Sequence, residues 1–186
     1  MKIWRKAIGV VGMLAIATPA LAHPGHAGHG GFEAGLLHPL TGLDHLLVMV
    51  LVGLWAGLAF GRRGYACPAA FAGFTMAGFG WARMGGGLPF GEMLIVGSLA
   101  AIGLALLSRR RPPMVLALVV TGGFAIAHGY AHGVEMPTDA AVLPYGMGMA
   151  LSTAALLLAG LGLARMAGRL RRGWPAKRGG ALEASC

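Results

Sequence analysis

The chain has 186 residues, 56% of them hydrophobic and only 11% charged, with a mean hydropathy of +0.71. Soluble domains carry about 25% charged residues, so the composition excludes an ordinary soluble domain and points to a single membrane domain. The formal charge of +9 does not mark a nucleic-acid binder, because the basic residues sit at the ends of apolar runs and form no patch interleaved with aromatics.

Residues 1–22 read as a secretory signal. Lys2, Arg5 and Lys6 form its basic region, Ala7 to Thr18 its apolar region, and Ala20-Leu21-Ala22 a small-x-small cleavage site. A His-rich external segment follows at 23–34. A transmembrane helical domain is expected over 35–165, with apolar spans near 35–60, 65–82, 90–107, 113–132 and 141–164. Each approaches the ~20 residues that cross a ~30 Å hydrocarbon core. A basic cytoplasmic tail occupies 166–186. The predicted fold is thus an all-α integral membrane protein, a polytopic bundle of about five transmembrane helices.

Arg62 and Arg63 follow the first span, Arg109 to Arg111 the third, and Arg165, Arg169, Arg171, Arg172, Lys177 and Arg178 the fifth; past the signal, only Arg83 lies on the other side. Positive loops stay inside. The N-terminus is therefore expected outside and the C-terminus in the cytoplasm, in a bacterial-type inner membrane. Cys67 and Cys186, the two cysteines, both fall on the inner side and lack CxxC spacing, which argues against a disulfide or a thiolate metal site. Gly53, Gly57 and Gly61 recur at four-residue spacing, a pattern that lets membrane helices approach closely. No Walker motif is present, which argues against ATP coupling within this chain.

Two stretches carry chemistry. One runs from His38 through Asp44 to His45, the other from His128 through His132 to Glu135. An Asp at mid-membrane depth costs ~2.5–3.5 kcal/mol on insertion scales, so such groups are functional candidates. His and carboxylate also suit a borderline dication. The topology puts all seven histidines on the outer side. His128 and His132, one turn apart, share a helix face; Glu135 stays near it, and Gly133 and Pro137 end the helix about there. His38 and His45 lie ~10 Å apart on a regular helix. Pro39 and Gly42 predict a bent or unwound start to the first span that would bring them together. The candidate metal ligands are His38, Asp44, His45, His128, His132 and Glu135. His23, His26 and His29, with Glu92, are candidates for metal capture. Bland readings stand beside these: Thr41 as a helix N-cap with Asp44 favoured by the dipole, His132 as a dipole complement, and the His-rich segment as a tail.

At these motifs the chain resembles the HupE/UreJ family of nickel and cobalt permeases. The family's His-x5-Asp-His pattern is matched by His38, Asp44 and His45. Its His-Gly-x-Ala-His-Gly-x-Glu pattern is matched by His128, Gly129, Ala131, His132, Gly133 and Glu135. Leu46 to Met49, Val52 to Ala56 and Leu143-Pro144-Tyr145 also look like the family. The resemblance covers roughly residues 23–165. It implies secondary, non-ATP uptake of Ni²⁺ or Co²⁺, often tied to hydrogenase, urease or cobalamin supply. Family members often carry a further apolar helix after the fifth span, where residues 165–186 here are basic and Gly-rich.

The expected partners are a divalent metal ion, as transported ligand, and the lipid bilayer, with no nucleic acid and no prosthetic group. A homo-oligomer or a metal-enzyme maturation pathway remains open as a further partner. Two other classes compete with transport. One is a membrane-embedded metal-binding accessory or sensor protein. The other is a zinc-dependent membrane enzyme, disfavoured because a zincin has Glu directly after its first His and Gly129 stands there.

Overall fold

The computed structural model describes residues 31–108 and 111–173, with the side chains of 170–173 left aside. The expected signal, His23, His26, His29, Cys186 and most of the expected tail lie outside the described residues.

Every regular element among them is helical: α1 Gly31–Thr41, α2 Leu43–Phe60, a 3-10 turn Gly61–Tyr65, α3 Ala66–Arg83, α4 Gly91–Ser108, α5 Met114–Val134 and α6 Val142–Gly173. Four stretches are long and apolar enough to cross a membrane: Leu43–Arg83, Gly91–Ser108, Met114–Val134 and Val142–Arg169. The first contains both α2 and α3. Its two ends meet the same end of α5. His45 lies against His128 and His132, while Arg83 Nη1 donates to Gly133 O at 3.2 Å. The stretch therefore runs out and back. Its reversal is the 3-10 turn, where Gly64 sits directly on the Ala56 carbonyl.

Two local expectations are corrected. The first span does not begin at residue 35: α1 is a separate helix, and the break falls at Gly42, which is extended (φ −83°, ψ 108°). Pro39 stays inside α1, so glycine rather than proline makes the break. Gly61 does not serve packing. It has φ +58° with open space around it, and its N–H bonds to Gly57 O, a positive-φ helix ending that glycine adopts without steric cost. At the other end of the chain, α6 continues to Gly173, so the stretch after 165 begins as helix.

Three pairs of glycines set the helix contacts. Gly35 faces the Tyr145 carbonyl and Gly148 the Phe32 carbonyl between α1 and α6. Gly53 faces Leu157 and Gly160 faces Val50 between α2 and α6. Gly78 faces Ile126 and Gly129 faces Thr75 between α3 and α5. In each pair a Cβ on either helix would strike the other's backbone. Lipid is as apolar as leucine, so close backbone approach replaces the hydrophobic drive that packs soluble helices.

The main core joins α2 to its neighbours through Val48, Met49, Val52, Phe71, Leu99 and Leu157. Leu104, Val119, Leu151 and Leu158 remain exposed. Apolar outward faces of this extent belong in a bilayer. The bundle thus has two unlike ends: the histidines lie at one, and Arg62, Arg63, Arg111, Arg165 and Arg169 at the other.

Candidate metal centre

On α5, His128 and His132 are both fully buried. His128 Nδ1 lies 2.9 Å from Phe124 O, the carbonyl one turn before it. A carbonyl only accepts, so Nδ1 carries the proton and Nε2 keeps its lone pair. That Nε2 has no partner. His132 has no partner at either nitrogen.

His45 enters from the first turn of α2. Its backbone N–H and its Nδ1 both donate to Asp44 Oδ1 at 2.9 Å. A carboxylate fixes the tautomer as a carbonyl does, so Nε2 again keeps its lone pair, buried and unpartnered. Asp44 therefore stands behind His45, the position from which a carboxylate orients a metal-binding imidazole. Thr41 does not cap α2: its hydroxyl donates to His38 O at 2.9 Å, and Gly42 is the cap residue. His38, on α1, donates from Nε2 to Glu135 Oε2 at 2.9 Å.

These groups form a row. Ring centroids are 4.9 Å apart for His38 and His132, 4.6 Å for His132 and His45, and 5.0 Å for His45 and His128. The outer end is Glu135, with a side chain 44% exposed, then His38 at 18%; the inner end is fully buried, with Phe71 lying 5.6 Å beyond His128. A buried polar atom left unpaired costs ~1–3 kcal/mol, and four ring nitrogens here are in that state. A ligand that takes lone pairs removes the cost at three of them, since a neutral His132 carries a proton on one of its two nitrogens.

His38, His132 and Glu135 each offer one donor atom, all within 4.8 Å of one another. Donors ~2.0–2.1 Å from a shared tetrahedral Zn²⁺-like ion would lie ~3.4 Å from each other. A side-chain movement on the order of an ångström therefore converts the cluster into a three-ligand site.

Of the residues read from the sequence, the fold gathers His38, His45, His128, His132 and Glu135, with Asp44 in support. Glu92 is exposed at the start of α4, outside the cluster. Three neighbours were not read as site residues. Tyr145 is fully buried with its hydroxyl unpartnered and its ring 6.0 Å from that of His38. Phe71 closes the inner end. Arg83 caps the carbonyl end of α5 beside the mouth. A phenol inside an apolar run was the available signal for Tyr145; nothing local marks Phe71.

Fold and site together define a class: a multi-pass helical membrane protein with a buried histidine row that opens past a carboxylate. Within that class, the chain belongs to the HupE/UreJ family, whose model, described as HupE / UreJ protein, matches residues 11–185. Protein HupE of Rhizobium leguminosarum bv. viciae is 39% identical over 157 residues, which is 83% of this chain and 81% of that protein. No solved structure matches the chain. The family is a transporter-type family, not an enzyme family, and is associated with nickel and cobalt transport and with metal handling for nickel enzymes.

Proposed function

We propose that this protein carries Ni²⁺ or Co²⁺ into the cell across the cytoplasmic membrane by secondary uptake. The observation that carries this reading is the row of four imidazoles, with four buried ring nitrogens unpartnered and Glu135 at its mouth. The arginine-rich end opposite supports an outward-facing mouth, since positive loops stay inside. A dication first meets Glu135, His38 and His132. It then exchanges these ligands for the Nε2 atoms of His45 and His128. His132 stands between both pairs, and neither of its nitrogens is tied to a protein partner, so whichever one carries the lone pair can serve in the exchange. Asp44 offsets part of the charge at depth through His45. Phe71 blocks the row beyond His128, so inward release requires that ring to move.

Imidazole and carboxylate suit nickel and cobalt better than magnesium. Affinity alone would favour copper, so selection rests on geometry and supply. The test is radiotracer ⁶³Ni²⁺ or ⁵⁷Co²⁺ uptake in proteoliposomes. The purified protein should accumulate metal without ATP, and His132→Gln should lower the rate at least ~10-fold, the scale of a lost ligand or ligand partner. Metal binding without flux would refute transport and leave an accessory or sensor role.

A further inference from the structure

A second cavity lies in the other half of the bundle. It has a volume of about 190 Å³ and is walled by α2, α4 and α5, with Phe71 of α3 at one end. Val48, Ile102 and Phe124 are among its apolar walls. Ser98 and Thr121 also line it, but their hydroxyls are already spent on Ile95 O at 2.6 Å and Ala117 O at 2.7 Å. Trp55 also lines it, with an indole N–H that is itself buried and unpartnered. A chamber walled this way by apolar surface is a poor path for a dication. It fits an apolar chain.

Its setting narrows the ligand. Leu116 and Val120 line it and are 52% and 44% exposed, so its lip lies on the bundle's apolar outer surface and opens sideways toward lipid. Along α5 the lining extends from Leu116 to Phe124, ~12 Å at 1.5 Å per residue, with Pro112 lining it just before that helix. One leaflet of a ~30 Å hydrocarbon core is ~15 Å deep. Trp55 lies five residues before the end of α2, ~7.5 Å from it, within the depth of one leaflet measured from that end. Arg111, exposed, precedes Pro112 at the same end, and Arg62 and Arg63 lie in the turn that follows α2. Basic pockets between helices on this side hold anionic headgroups.

We infer that this cavity is a binding site for an anionic phospholipid of the inner leaflet. One acyl chain lies between α2, α4 and α5, alongside the Trp55 indole, and its headgroup lies at Arg111. The chain's far end then packs against Phe71 and Phe124, which hold the inner end of the histidine row. The site does not depend on the metal reading and stands or falls separately.

The experiment uses the full chain in nanodiscs containing phosphatidylglycerol or phosphatidylcholine brominated on the acyl chain. Bromine quenches indole fluorescence on contact, and the Trp55 component is the emission that Trp55→Phe removes. Brominated phosphatidylglycerol should quench that component several-fold more than brominated phosphatidylcholine. Ala101→Leu and Ala105→Leu, which fill the cavity independently, should each abolish the excess while helix content and Co²⁺ binding stay unchanged. Arg111→Gln should erase the difference between the two lipids. Absence of Trp55 quenching by either lipid, or quenching unchanged in whichever filled variants fold, overturns the site. Equal quenching by both lipids in the wild type overturns the anionic headgroup.

Discussion

At the residue scale, the four histidines differ in what holds them, and that difference predicts distinct outcomes. His45 is oriented by Asp44, whose Oδ1 takes both its Nδ1–H and its backbone N–H. Asp44→Asn keeps the shape and loses the charge. Removing an outer-shell partner of this kind typically costs 10–100-fold in metal affinity, so Ni²⁺ affinity measured by calorimetry should fall by about that factor with the helical fold intact. Glu135 lies at the mouth and is partly exposed. Glu135→Gln should slow metal capture and weaken its dependence on salt, because an exposed carboxylate attracts the dication through solvent. Uptake rates at two ionic strengths would check this, and an unchanged salt dependence would count against Glu135 as the capturing group.

At the scale of elements, the helices meet through glycine, and the reciprocal pairs separate structural glycines from indifferent ones. Gly129→Ala would drive a Cβ into the Thr75 carbonyl. Overpacking of this sort costs ~1–3 kcal/mol, and here it would also separate α3 from α5 beneath His128 and His132. Thermal unfolding in detergent should show a lowered midpoint. Gly97→Ala and Gly123→Ala point into open space and trade glycine for a better helix former; their midpoints should hold or rise. A loss at Gly97 equal to that at Gly129 would contradict the packing described. The break at Gly42 has its own consequence. It frees α1 to lie along α6, which is how His38 reaches Glu135 at the end of α5.

At the scale of the whole molecule, metal binding links helices that are distant in sequence. An ion held by His38, His132 and Glu135 joins α1 to α5, so it should stabilise the assembled bundle. Ligand at 100 times its dissociation constant adds ~2.7 kcal/mol. The unfolding midpoint should rise with Ni²⁺ or Co²⁺ in the wild type and stay fixed in His132→Gln. A rise of equal size in that variant would place the bound metal elsewhere. The charge distribution acts at this scale too: carboxylate and imidazoles occupy one end, and Arg62, Arg63, Arg111, Arg165 and Arg169 the other, so the molecule presents a dication with an attractive end and a repulsive one.

The amino-acid sequence by itself determined the helical membrane class, the approximate extent of the long apolar helices and the shared face of His128 and His132. These depend on local quantities: hydropathy over about twenty residues, and the 3.6-residue turn that sets i and i+4 together. It also marked Gly42 as a place where the first span would bend. Only the tertiary structure decided that α1 stands apart, that Gly61 ends a helix instead of packing, that Asp44 backs His45, and that His132 lies between His38 and His45. His38 and Glu135 are separated by 97 positions, and no local pattern couples them. The physical reason is the solvent. In water, a polar stripe shows which face of a helix looks outward; in lipid both faces are apolar, so helix partners are chosen by small residues and close backbone approach, which composition and periodicity do not display.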